Sequence, residues 1–137
     1  MFAAFEKLTH EAAGRGEALT NDFLCGLYGG LVEKYHGPAV EADDYIRSEW
    51  SRIPHFYRAF YVYKYATGFS AAAAIAERIL SGDAAADYLR FLSTGDSDDP
   101  IELLKIAGVD MGSPGPVEEA MKSFAVLVKD FGSAISA

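Results

Sequence analysis

Apolar residues recur every three or four positions through almost the whole chain, and no stretch of useful length alternates apolar with polar residues. The first spacing lines one face of a helix and the second one face of a strand, so the predicted fold class is all-α, a multi-helical single domain. Phe2, Phe5, Leu8 and Ala12 form one helical face, stopped by Gly14 and Gly16. Thr20 offers an N-cap oxygen to a helix in which Phe23, Leu27, Leu31 and Tyr35 recur every four residues until Gly37-Pro38. Within it, Gly29-Gly30 permits close helix packing. Asp43 or Asp44 caps a helix through Trp50, and Pro54 closes or restarts it, because the proline ring biases Ile53 away from helical geometry.

Farther on, a long helix is predicted from about His55 to Leu80. Ser81-Gly82-Asp83 ends it and caps the next, whose apolar face is Tyr88, Phe91 and Leu92. After a Gly95-Asp96-Ser97-Asp98 loop, Asp99-Pro100 starts a short helix that stops at Ala107-Gly108. In the last helix Val117, Met121, Phe124, Val128, Phe131 and Ile135 alternate by four and three, a face predicted to pack on the other helices.

The 137 residues suffice for one domain with one hydrophobic core. A formal net charge of −8, unbroken by any Lys/Arg cluster, disfavours nucleic acid and anionic membranes as partners. The single cysteine, Cys25, excludes an internal disulfide, fits a reducing compartment and reads as a small buried apolar residue. The longest weakly polar run, residues 65–76, is shorter than the roughly 20 residues a membrane span needs. The N-terminal MFAAFEKLTHE is not a secretory signal, so the cytoplasm is the expected location.

Of the chemistry-bearing motifs, His10-Glu11 opens like His-Glu-x-x-His, but the position of the second histidine is Gly14. No metal ligands are therefore predicted in this chain. The acidic pairs Asp43-Asp44, Asp98-Asp99 and Glu118-Glu119 lie where helix starts need them. No nucleophile elbow or phosphate-cradling glycine loop is present. The unusual segment is residues 52–69, with Tyr57, Tyr61, Tyr63, Tyr65 and His55 in one short stretch. Tyr57, Tyr61 and Tyr65 are spaced by four and would line one side of a helix. They form either an aromatic core stripe with satisfied hydroxyls or a wall facing a wet cavity, where a phenol can donate to a developing oxyanion.

Ile53-Pro54-His55-Phe56-Tyr57, followed by Phe60-Tyr61-Val62-Tyr63-Lys64-Tyr65-Ala66-Thr67-Gly68-Phe69-Ser70, closely resembles the oligoendopeptidase F family of zinc metallopeptidases. The likeness extends through Ala76-Glu77-Arg78-Ile79-Leu80, Tyr88-Leu89-Arg90-Phe91-Leu92 and Pro100-Ile101-Glu102-Leu103-Leu104, and back to Met1-Phe2-Ala3-Ala4-Phe5-Glu6. It implies that residues 1–137 are the C-terminal helical region of a catalytic domain whose zinc-binding motif, general base and third ligand lie upstream. Zinc then belongs to the parent enzyme and no cofactor to this chain. His55 and Tyr57 are implied as substrate-binding residues, and Tyr65, then Tyr61, as catalytic donors to the tetrahedral intermediate. Six positions at about 100° each place Tyr61 about 240° around a continuous helix from His55, so convergence needs His55 at or before the helix start.

The resulting expectation is part of a zinc-dependent oligoendopeptidase that hydrolyses short peptides but is inactive alone. The alternative is a free-standing helical interaction module derived from the peptidase tail. The partners are the N-terminal part of the peptidase, a short peptide and a second copy of this chain. Apolar surface left uncovered, at Phe2 and Phe5 or along Tyr57–Tyr65, is expected to drive dimerisation.

Overall fold

The computed structural model describes residues 1–82 and 84–136. Every regular element among them is helical, as the periodicity predicts. Two compact units divide the chain, Met1–Lys64 and 65–137, and each has its own apolar cluster where chain length alone suggested one core.

In the first unit, α1 (Phe2–Gly14) and α2 (Asn21–His36) end where the glycines predict. Thr20 Oγ1 accepts the Phe23 N–H at 3.2 Å, so one orphan donor of α2 is satisfied. At its other end Gly37 has φ 69°, a conformation that a side chain resists. Asp43 Oδ1 accepts the Ile46 N–H at 2.8 Å and starts the single turn α3 (Asp44–Arg47). The predicted helix through Trp50 continues only as a 3₁₀ turn, Glu49–Arg52. Gly29 is buried because the Arg47 side chain lies across it, on the way to an ion pair with Glu33 at 2.6 Å. Gly30 has open space where a Cβ would stand. Close packing is thus required at one of the two glycines only.

The core of this unit is aromatic. Phe5, Tyr28, Leu31, Val32 and Ile53 are buried together, with Trp50 and Phe56 against them. The rings of Phe5 and Tyr28 meet edge to face at 5.2 Å, a geometry worth about 0.5–1.5 kcal/mol beyond burial. The Tyr28 hydroxyl donates to Glu49 Oε2 at 2.9 Å. Burial, then this bond to a carboxylate, push the Tyr28 phenol far above its ordinary range. Cys25 is half-buried, and its sulfur accepts the Trp50 indole N–H at 3.4 Å.

The long helix expected from about His55 begins later. Pro54–Tyr57 is a 3₁₀ turn, and α4 spans Tyr63–Leu80. Between them Phe60 adopts φ 58°, which no continuous right-handed helix allows. Tyr57, Tyr61 and Tyr65 consequently do not share one helical stripe.

The second unit holds the rest of α4 with α5 (Ala85–Ser93), α6 (Pro100–Ile106) and α7 (Gly115–Ile135). The predicted cap at Ser81-Gly82-Asp83 includes Asp83, which lies outside the described residues. Ala71, Ile75, Ala107 and Val109 form the cluster, with Tyr88, Phe91 and Leu104 packed on it. Leu92, assigned to the same face of α5, is exposed instead. Asp99 Oδ1 caps α6 at the Ile101 N–H, 3.0 Å away.

Helix α7 has the predicted apolar face, but only Pro116 and Ala120 are buried on it. Val117, Met121, Phe124, Val128, Phe131 and Ile135 are all exposed, Phe131 by 67% and Ile135 by 70%. The expected packing of this face on the other helices is therefore corrected. Periodicity establishes that a face is apolar, not what covers it. The expected uncovered surface is found in part: Phe2 is exposed, although its ring meets Phe56 edge-on at 5.8 Å, and so are Tyr57, Tyr61 and Tyr65, whereas Phe5 is buried in the core.

Candidate functional site

Pro54 fixes the geometry of the aromatic segment. As the first residue of its 3₁₀ turn it needs no N–H bond, and it places His55 ahead of α4. The Phe56 N–H donates to the Ile53 carbonyl at 3.3 Å and the Arg58 N–H to the His55 carbonyl at 3.1 Å. A second turn follows, closed by the Tyr61 N–H and the Arg58 carbonyl at 3.1 Å. These two turns bring Tyr61 back to His55: the rings stack with centroids 5.6 Å apart and planes inclined by 23°. With Pro54 and Arg58 they line an open cleft of about 240 Å³. The Lys64 ammonium lies 6.0 Å from the Tyr61 ring centroid, at the outer reach of a cation–π contact.

Two of the four expected site residues are thus brought together, His55 and Tyr61. Tyr57 faces elsewhere: its hydroxyl donates to the Ser51 carbonyl at 2.7 Å, and the residue is 74% exposed. Tyr65 stands at the start of α4 in the second unit and is 58% exposed. Sequence reasoning missed Arg58, whose signal was its place three residues after His55, one turn of a 3₁₀ helix. It also missed Glu6, which helical periodicity assigns to no apolar face and which is 5% exposed.

Chemically, the cleft offers a guanidinium, an imidazole and a phenol within one short segment, groups that bind carbonyl or carboxylate oxygen. Among the described residues, no group of three or more His, Cys, Asp or Glu side chains could hold a metal ion. The described residues therefore do not fit zinc. No helix among the described residues is long and apolar enough to cross a membrane.

The Bacillus subtilis protein named Oligopeptidase PepF is 52% identical over 126 residues, covering 90% of this chain and 19% of that protein. The chromosomal oligoendopeptidase F of Lactococcus lactis subsp. cremoris is 46% identical over 125 residues, covering 90% and 21%. The chain thus spans about a fifth of the length of these curated relatives. The crystal structure of oligoendopeptidase-F from Enterococcus faecium superposes with a TM-score of 0.89 at 46% identity, over 98% of this chain and 26% of that one. A model of Peptidase family M3 matches residues 1–123, and the chain belongs to that family.

Proposed function

We propose that this chain is part of a zinc-dependent oligoendopeptidase hydrolysing short peptides in the cytoplasm, and that it supplies substrate-facing side chains but is inactive alone. The observation that carries this reading is the convergence of His55 and Tyr61 on one open cleft in a member of Peptidase family M3. An imidazole N–H there donates to a peptide carbonyl and orients the backbone. A phenol O–H donates to the oxygen that gains charge as the scissile carbonyl becomes tetrahedral, a task that rewards donors already fixed in place. Tyr61 is the donor the geometry favours beside His55, and Tyr65 is the second candidate. Tyr57, whose hydroxyl is held by Ser51, is the weakest of the four. In this reading zinc is held by the rest of a longer polypeptide; among the described residues no group of three or more His, Cys, Asp or Glu could hold it.

A second reading is favoured by one observation, the exposed face of α7. In a free-standing helical module that face would serve self-association. The distinguishing experiment is hydrolysis of a quenched peptide by the chain alone and by a longer polypeptide that contains it. Activity in the longer form only supports the first reading. No activity in either form, with a dimer in solution, supports the second.

A further inference from the structure

We infer that Glu6 is the positioning residue of the His55–Tyr61 cleft, its buried carboxylate holding the strained turn that returns the Tyr61 ring to His55. The inference rests on the reading of that pair as substrate-facing. In the turn from Arg58 to Tyr61, Phe60 occupies the third position with φ 58°, the only positive φ outside glycine among the described residues. A positive φ at the third position of a turn ordinarily belongs to Gly or Asn, because a Cβ crowds the backbone there. An aromatic residue keeps such a conformation only where its surroundings over-determine it.

Helix α1 provides that restraint twice. Glu6 Oε1 accepts the Phe60 N–H at 2.8 Å, which anchors the central peptide of the turn. One helical turn later His10 stacks on the Phe60 ring, with centroids 4.5 Å apart and planes inclined by 26°. A carboxylate 5% exposed is costly unless it is hydrogen-bonded, so Glu6 and the Phe60 amide satisfy each other. Tyr61 follows directly, and the direction in which its ring leaves the turn is set by the Phe60 backbone. A residue 54 positions away in sequence therefore fixes the cleft without lining it.

The test is NMR of the 137-residue chain carrying Glu6→Ala or Glu6→Gln. Glu6→Ala is expected to abolish the cross-peaks between the His55 and Tyr61 rings and to speed Phe60 amide exchange about tenfold or more. Glu6→Gln retains an acceptor oxygen and is expected to keep both near wild type. Cross-peaks and exchange unchanged in Glu6→Ala would overturn the inference. Should Glu6→Ala unfold, Phe60→Gly on that background decides: regained folding with the ring contact supports the latch, and a chain still unfolded overturns it. Kinetics of the same variants in a longer peptidase separate the two readings. A lost ring contact with unchanged kcat/KM leaves the latch standing and removes His55 and Tyr61 from the substrate site.

Discussion

The imidazole of His55 and the phenol ring of Tyr61 lie nearly parallel, 5.6 Å apart, with no helix joining them. On a continuous helix those positions would point about 240° apart. Two tight turns do what a helix could not and bring the two rings side by side.

In a longer peptidase containing this segment, Tyr61→Phe removes one hydroxyl and keeps the ring. If that hydroxyl donates to the oxyanion, kcat and kcat/KM fall together by about 10²- to 10³-fold, or roughly 3–4 kcal/mol. His55→Ala is expected to act more on KM. Steady-state kinetics with melting temperatures for both variants, and for Tyr65→Phe, make the check. Near-normal turnover in Tyr61→Phe with a large loss in Tyr65→Phe moves the oxyanion role to Tyr65.

Metal analysis of the purified chain is expected to find no stoichiometric zinc, since no three suitable ligands come together among the described residues. One zinc per chain, retained on dialysis against buffer and lost on His10→Ala, would refute this.

Tyr28 links stability to alkaline pH. Its folded pKa is raised, chiefly by burial, so its stabilising effect is complete below the unfolded value near 10 and disappears as pH rises above it. Tyr28→Phe should cost about 1.5–3 kcal/mol at pH 7, the range for a hydrogen bond to a charged group. It should also flatten the fall in stability above about pH 10. Urea melts at pH 7 and pH 10.5 measure both effects, and equal pH slopes for the two proteins would contradict the assignment.

The paired glycines of α2 should respond unequally to alanine. Gly30→Ala gains helix propensity, up to about 1 kcal/mol, with nothing nearby to meet the new methyl group. Gly29→Ala gains the same propensity, but its methyl group must displace the flexible Arg47 side chain and weaken the partly exposed ion pair with Glu33, which offsets part of that gain. Thermal melts should place Gly30→Ala above wild type and above Gly29→Ala.

The exposed face of α7 should make the isolated chain associate. Sedimentation is expected to show concentration-dependent dimers, and Phe124→Glu with Phe131→Glu should return the chain to monomer without lowering its melting temperature. A wild-type monomer at high concentration would contradict this.

The sequence by itself determined the all-α class and most helix limits, because these depend on local chemistry. Thr20, Asp43 and Asp99 accept the N–H groups of their own helices, and Gly37 takes up a backbone angle that few other residues tolerate. It also marked residues 52–69 as unusual, since tyrosine at that density is expensive to bury without partners. Tertiary structure alone decided the geometry of that segment. Nothing local predicts a positive φ at Phe60, which is held by a carboxylate and an imidazole from α1. Nor could periodicity reveal that Gly29 lies beneath Arg47 while Gly30 faces open space, or that the apolar face of α7 is uncovered. A spacing pattern defines a face within one helix, whereas burial depends on what the rest of the chain brings against it.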